Sequence, residues 1–224
     1  MSGKHKAVIL LSGGVDSTVA LYHAARQYEV VLAVSFDYSS KHNAKEIPCA
    51  ALQSATLGVP HSIVDLTAIS KHLQSDLLLS GGDIPDGEYD SDNMAQTVVP
   101  FRNGIMLSVA AGIAESLRAQ ALIIAAHSGD HALYPDCSSE FTEKMSLAIE
   151  AGTYDRIQVI APFVHINKSD IVRIGADLGV DFSKTWSCYK GGDIHCGRCG
   201  TCIERRESFL EAQIPDPTIY SNQG

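Results

Sequence analysis

The stretch AVILLSGGVDST, residues 7–18, carries the strongest structural signal in this 224-residue chain. The apolar run 7–11 predicts a buried β-strand, and Val15 and Val19 then recur at the spacing of a helix. Only the short segment 12–14 separates the two patterns. The sequence therefore predicts a strand that passes directly into a helix through a glycine-containing turn.

The glycine turn has the chemistry of an anion site. Gly13 and Gly14 let the backbone approach an anion closely, and the start of a helix supplies unpaired N–H groups. Further donors come from the hydroxyls of Ser12, Ser17 and Thr18. The spacing is not GxxxxGK[ST] and the turn has no lysine, which disfavours kinase-like transfer of a γ-phosphate. The alternative is a plain strand-to-helix turn capped by Asp16.

Four more apolar runs predict buried strands, namely 30–34, 62–66, 121–126 and 157–160. Helical spacing follows some of them, for example from Ile105 and from Ile171. This alternation predicts an α/β fold with a doubly wound, mostly parallel sheet. In such a sheet the ligand is expected at the carboxyl ends of the strands.

The charge balance of the chain disfavours nucleic-acid binding. The chain has 26 acidic and 17 basic side chains, a formal net charge of -9, which is the wrong sign for holding a nucleic-acid backbone. No run approaching about 18 apolar residues is evident, and the amino terminus leads into a strand. We therefore expect a cytoplasmic protein without a nucleic-acid or membrane partner.

Four of the six cysteines lie close together near the carboxyl end, at Cys188, Cys196, Cys199 and Cys202. This density suits a metal in a reducing compartment better than disulfides. Four thiolates around Zn²⁺ form a closed structural site, whereas an iron–sulfur cluster is the main alternative. The sequence thus predicts a nucleotide domain at 1–181 and a zinc-binding segment with a helix at 182–224.

One long segment, 75–96, lacks the strand and helix patterns. It contains Gly81, Gly82 and Pro85 together with several acidic residues. Glycine, proline and acidic side chains are typical of loops. We expect this segment to form a mobile loop or lid.

SGGVDS resembles the signature of the PP-loop ATP pyrophosphatases. With the cysteine cluster, the whole chain is similar to the QueC family of queuosine-pathway enzymes. Further matching segments are Phe36-Asp37-Tyr38 with His42, Pro100-Phe101-Arg102-Asn103, Tyr134-Pro135-Asp136-Cys137, Pro162 with Lys168, and Thr185-Trp186-Ser187-Cys188-Tyr189. Two segments depart from the pattern: Ser39-Ser40 stands where many members have Gly-Gln, and His131-Ala132-Leu133 differs from their string before Tyr134.

The resemblance implies an adenine nucleotide α-hydrolase-like fold and a carbon–nitrogen ligase. Its expected reaction converts 7-carboxy-7-deazaguanine and ammonia to the 7-cyano product through an adenylated carboxylate and an amide. ATP, with Mg²⁺, would be cleaved to AMP and diphosphate. The family comparison also implies a homodimer.

The resemblance also suggests roles for individual residues. The expected nucleotide-binding residues are Leu11, Ser12, Gly13, Gly14, Val15, Asp16, Ser17, Thr18, Asp37 and Tyr38. Lys168, Arg102 and Asp16 are the expected catalytic residues, with the two cations offsetting phosphate charge. The expected substrate-binding residues are Asp136, Tyr134 and His42. A carboxylate such as Asp136 can accept from both donors of a guanine-like edge, and Asp130 is the substitute candidate.

Two other functions stay open at this point. A related PP-loop enzyme could stop at the amide or amidate a different carboxylate. A protein of another class, a zinc-ribbon binding module, could carry the glycine turn without using it, and would produce no AMP.

Overall fold

The computed structural model describes residues 3–87, 92–130 and 134–221, and its centre is a parallel β-sheet. The strands are β1 Lys6–Leu10, β2 Glu29–Asp37, β3 His61–Asp65, β4 Ala121–Ile123 and β5 Gln158–Ile160. They lie in the order β3-β2-β1-β4-β5, and every neighbouring pair is parallel. The predicted doubly wound α/β fold is confirmed. The chain reverses its winding direction between β1 and β4, where such sheets bind ligands.

Helices connect the strands and follow the last of them. They are α1 Val15–Gln27, α2 Asn43–Thr56, α3 Thr67–Ser70, α4 Arg102–Ser116, α5 Ser139–Gly152, α6 Lys168–Asp177 and α7 Gly200–Ala212. The sequence patterns indicated α1, α4, α6 and α7 but did not single out α2 and α5. Pro48 lies inside α2, and a proline ordinarily argues against a helix interior.

Both faces of the sheet are covered. Val8 and Leu10 of β1 belong to one apolar cluster, which α4 and α5 complete, while Ala7 and Ile9 belong to the other. That second cluster includes residues of α1, α6 and α7. A strand buried on both faces needs apolar side chains at every position, which is why β1 is a continuous apolar run and not an alternating one.

The stretch Met94–Ser116 is long and apolar enough to cross a membrane by length and composition alone, contrary to the expectation that no run approaches this length. It is not one regular helix, because Phe101 adopts a left-handed backbone conformation directly before α4. Met106, Leu107 and Ala110 of α4 are buried in the core beside the sheet. The apolar composition is therefore accounted for by packing against β1 and β4.

The carboxyl-terminal segment packs closely on the rest of the chain. Phe209 of α7 meets Phe182 edge to face at a ring distance of 4.9 Å. Arg205 is fully buried; it donates hydrogen bonds to the Thr185 hydroxyl and the Phe182 carbonyl and pairs with Asp216. A buried arginine satisfied in this way ties the last helix to the preceding loop.

The first residues of the predicted lid are fixed to the rest of the protein by burial and by hydrogen bonds. Leu77 and Leu78 are buried, and Leu79 N–H donates to the Ser39 carbonyl. The ammonium group of Lys41 donates to the carbonyls of Asp76 and Gly82. Residues 88–91 of this segment lie outside the described residues.

Candidate active site

The glycine turn follows β1 and opens α1. Gly13 has φ +96°, and a Cβ there would lie 2.7 Å from the Ala50 backbone nitrogen of α2 and closer still to the Glu46 carbonyl. Glycine is therefore required by backbone conformation and by space. Gly14 is the N-cap residue of α1 and no side-chain hydrogen bond caps the helix there, so Asp16 does not have the capping role that the alternative gave it.

A serine network fixes the shape of this turn. The hydroxyl of Ser17 accepts hydrogen bonds from Ser12 N–H and Gly13 N–H, each 3.2 Å long, and lies 2.9 Å from the Ser12 hydroxyl. The first N–H groups of α1 have no carbonyl partner within the helix. A rigid turn with these donors suits an anion.

The turn borders a cavity of about 200 Å³ at the carboxyl ends of the strands. The cavity is lined from the loops after β1, β2 and β4, from the starts of α4 and α6, and from the carboxyl-terminal segment. The sequence-predicted residues that line it are Leu11, Ser12, Gly14, Val15, Asp16, Ser17, Tyr38, His42, Arg102, Tyr134 and Lys168. The structure thus brings most of the predicted site together.

Four predicted residues do not line the cavity. Gly13 packs against the backbone of α2, and Thr18 is fully buried in α1. The carboxylate of Asp37 accepts hydrogen bonds from Ser39 N–H and the Asn43 amide. Asp136 accepts a 2.8 Å hydrogen bond from Asn103 N–H at the start of α4, an arrangement that supports α4. The side chain of Asp130 lies outside the described residues.

Lys168 lies between two carboxylates at one end of the cavity. Its ammonium group is 2.7 Å from Glu204 Oε2 and 3.2 Å from Asp16 Oδ2. His127 Nε2 is 3.9 Å from an oxygen of each carboxylate. Burial alone would raise the pKa of Asp16, but the charges of Lys168 and His127 hold it below its ordinary value. Asp16 is therefore an anion at neutral pH.

One oxygen of Asp16 is suited to a cation. Oδ1 is buried and has no hydrogen-bond partner among the described residues. A buried carboxylate oxygen without a donor is unfavourable unless a cation or a donor reaches it. Oxygen ligands of this kind fit Mg²⁺, which commonly binds through one or two carboxylates together with phosphate oxygens.

A second polar group lines the cavity beside α2. Arg102 donates a 3.2 Å hydrogen bond to the Tyr38 hydroxyl, which is 3.3 Å from His42 Nε2. The same nitrogen lies 3.4 Å from Glu46 Oε2. Burial raises the pKa of Glu46 to about 8, against the lowering effect of Arg102 and Lys168. Burial, with the charge of Arg102, lowers the pKa of His42 to about 3.

Sequence reasoning missed Glu46, His127 and Glu204. His127 follows β4 at the carboxyl edge of the sheet, so its position was a usable signal. Glu46 belongs to a helix that the patterns did not single out. Glu204 comes from the carboxyl-terminal helix, and no sequence signal connects it with the glycine turn.

The four clustered cysteines converge as predicted. Their sulfur atoms all lie within 4.8 Å of one another, and Cys196 Sγ is 3.9 Å from Cys202 Sγ. A tetrahedral ion with metal–sulfur bonds of about 2.3 Å places its sulfurs about 3.8 Å apart. Backbone N–H groups of Arg198 and Cys199 donate hydrogen bonds to Cys196 Sγ. The tetrad therefore fits one metal ion.

The described departure from the family pattern lies beside the cavity. Ser39 has φ +59°, a left-handed conformation in which glycine is less strained. Ser40 is buried and its hydroxyl donates to the Asn43 side chain. Neither serine lines the cavity. The second departure, residues 131–133, falls outside the described residues.

The doubly wound parallel sheet is an α/β fold that solved enzymes share with this chain. NMN synthetase from Francisella tularensis shares this fold with a TM-score of 0.55 and 12% identity over 95% of this chain and 79% of that one. A U34-tRNA thiolase from Methanococcus maripaludis, solved with its [4Fe-4S] cluster, shares it with a TM-score of 0.53 and 14% identity over 93% and 66% of the two chains.

Sequence comparison specifies the family. The model of the queuosine biosynthesis protein QueC matches residues 6–213, and the chain belongs to this family. A 7-cyano-7-deazaguanine synthase from Porphyromonas gingivalis is 54% identical over 98% of this chain and 99% of its own length. The enzyme of that name from Desulfotalea psychrophila is 45% identical over 96% and 98% of the two chains. The resemblance found in the sequence is confirmed.

Proposed function

We propose that this chain is an ATP-dependent ligase that converts 7-carboxy-7-deazaguanine and ammonia to 7-cyano-7-deazaguanine, with release of AMP and diphosphate. The observation that carries the proposal is a single cavity lined by the glycine turn, Arg102 and Lys168. The names of relatives that match almost the full chain support the substrate.

ATP would bind with its β and γ phosphates at the glycine turn. The N–H groups that open α1 and the Ser12 hydroxyl supply donors there. Asp16 would hold the Mg²⁺ that accompanies ATP, because its Oδ1 lacks a hydrogen-bond partner among the described residues. Tyr38, beyond the end of β2, would border the adenosine.

In the first step the substrate carboxylate attacks the α-phosphorus and diphosphate leaves. A carboxylate and a triphosphate repel each other, so cations must offset their charge as they approach. Lys168 and Arg102 line the cavity and are the proposed cations. The product is a mixed anhydride of the acid and AMP, which is a good acyl donor.

Ammonia then attacks the acyl carbon and AMP departs, which gives the amide. Activation of the amide oxygen by a second ATP allows elimination to the nitrile, again with AMP as the leaving group. Tyr134 and His42 line the cavity and are proposed to contact the deazaguanine. The Asp136 carboxylate accepts from Asn103 N–H, so only its remaining acceptor capacity could serve the substrate.

Zinc is the proposed metal of the cysteine tetrad. The sulfur spacing supports a single tetrahedral ion, since an iron–sulfur cluster holds its thiolates farther apart. Four thiolates leave no open coordination position, so the ion would be structural. We also propose a cytoplasmic homodimer, in keeping with the family.

The test is a diphosphate-release assay with 7-carboxy-7-deazaguanine, ammonium and ATP, with mass analysis of the product. We expect AMP, diphosphate and the nitrile, and elemental analysis should give one zinc per chain. Release of ADP and orthophosphate would contradict the proposal. Accumulation of the amide alone would instead favour a related enzyme that stops one step earlier.

A further inference from the structure

The geometry points to Glu46 as the group that receives ammonium in the cavity and removes its first proton. Neutral ammonia is then generated beside the adenylate. This inference rests on the proposed function and adds to it the binding place and the base for the nitrogen substrate.

The carboxyl group of Glu46 lies beside the glycine turn. Glu46 is in the first turn of α2, lines the cavity, and its side chain is only 13% exposed. A Cβ built on Gly14 would lie 3.8 Å from Glu46 Oε1 and 3.5 Å from the Trp186 carbonyl oxygen. A nucleophile held at Glu46 would therefore share one cavity with an adenylate whose phosphates lie at this turn.

Glu46 lacks the partner that a buried carboxylate ordinarily has. Among the described residues no lysine or arginine comes within ion-pair distance, and the nearby basic group is His42, with Nε2 at 3.4 Å. The charges of Arg102 from α4 and Lys168 from α6 act on it, and Tyr38 and Cys49 are the other titratable groups that it influences. A buried acid without a paired cation is costly, and such costs are concentrated at functional sites.

The surroundings suit a small cation that donates hydrogen bonds. A carboxylate, a carbonyl oxygen and the Tyr38 hydroxyl can accept from ammonium, which has only donors. The Tyr189 ring, stacked on His42 at 5.1 Å, adds an aromatic side chain to the cavity wall. Because the positive charge of ammonium would stabilise the ionised form of Glu46, the ion supplies the missing partner and the carboxylate that accepts its proton.

In the proposed step, ammonium gives one proton to the Glu46 carboxylate and becomes ammonia. The nitrogen lone pair forms the bond to the acyl carbon, the bond from that carbon to the AMP oxygen breaks, and its electron pair leaves with AMP. The adduct nitrogen loses its second proton to water, and Glu46 returns its own proton to solvent. A base whose pKa lies near the working pH can both accept and release a proton efficiently.

The test compares two nucleophiles, ammonium and hydroxylamine. Each is given to three proteins: the unaltered protein, the Glu46→Gln variant and the Glu46→Asp variant. Hydroxylamine is largely unprotonated at neutral pH and needs no base for the first proton, whereas ammonium does. Each rate of product formation is divided by the rate at which the same variant exchanges labelled diphosphate into ATP. Glu140→Gln on the exposed surface of α5 serves as the matched control.

For Glu46→Gln we expect the normalised ammonium rate to fall at least about 100-fold while the hydroxylamine rate changes little. Glu46→Asp should restore part of the ammonium rate, and Glu140→Gln should lose neither rate. Equal loss with both nucleophiles, or no loss with ammonium, would overturn the inference. Absence of substrate-dependent exchange in the unaltered protein would overturn the proposed function itself, and the inference with it.

Discussion

The protonation state of Glu46 makes the free energy of unfolding depend on pH. Its pKa is about 8 in the folded protein, against an ordinary value of 4.5 in an unfolded chain, so the folded state binds the proton more tightly. Between these two pH values the folded state therefore holds more protons than the unfolded chain. The free energy of unfolding must then fall as pH rises through this window.

Glu46→Gln should remove that pH dependence because glutamine has no proton to lose. We expect the variant to be more stable than the unaltered protein at pH about 8, by about 1 to 3 kcal/mol, and similar to it below pH about 5. Urea unfolding at the two pH values measures the difference. A stability difference between the variant and the unaltered protein that is the same at both pH values would contradict the raised pKa.

Lys168 is a second residue whose removal has a defined result. Lys168→Met leaves Asp16 and Glu204 without the cation between them. We expect diphosphate release to fall at least about 100-fold, because the charge that offsets the phosphates is lost. Lys144→Met, on the exposed surface of α5, is the control and should keep its activity. Equal activity in the two variants would exclude the proposed role of Lys168.

At the scale of secondary-structure elements, close packing of the glycine turn against α2 determines the position of the turn in the site. Gly13 and Gly58 both have positive φ, yet only Gly13 faces crowded backbone atoms of α2. Gly13→Ala should therefore cost more than about 2 kcal/mol, whereas Gly58→Ala should cost about 1 kcal/mol for its backbone conformation alone. Denaturant unfolding of both variants tests this, and equal costs would show that the crowding is relieved cheaply.

The contact of α7 with the preceding loop depends on one buried cation. Arg205 is fully buried with Asp216, Thr185 and the Phe182 carbonyl as partners. Arg205→Met leaves Asp216 without its ion pair, and we expect a loss of about 3 to 5 kcal/mol. Thermal and urea unfolding would measure it. A loss below about 1 kcal/mol would mean that Asp216 finds another partner or becomes solvated.

At the scale of the whole molecule, the cysteine tetrad, which lies outside the sheet, holds in place a segment that lines the cavity. Trp186, Tyr189 and Thr201 line the cavity, and each lies within two residues of a tetrad cysteine. Removal of the proposed zinc by a chelator should increase amide hydrogen exchange across residues 185–221, while β1 stays protected. Unchanged exchange in that region would show that packing alone orders it.

Short-range patterns in the chain were sufficient to predict the α/β architecture, the edge of the sheet that carries the site, the glycine turn and the cysteine tetrad. These patterns are apolar runs, helical spacing, a turn of fixed composition and regular cysteine gaps. Each pattern is complete within one short stretch of about 15 residues or fewer, so its structural consequence follows from the local sequence without knowledge of distant neighbours.

Tertiary packing, by contrast, determines which side chains share the cavity and how their charges interact. Packing of α2 brings Glu46 to the glycine turn, and packing of α7 brings Glu204 to Lys168. It also turns Asp136 toward the start of α4. Burial and through-space charge depend on neighbours that are distant in sequence, so neither the pKa of Glu46 nor the environment of Asp16 could be inferred from spacing.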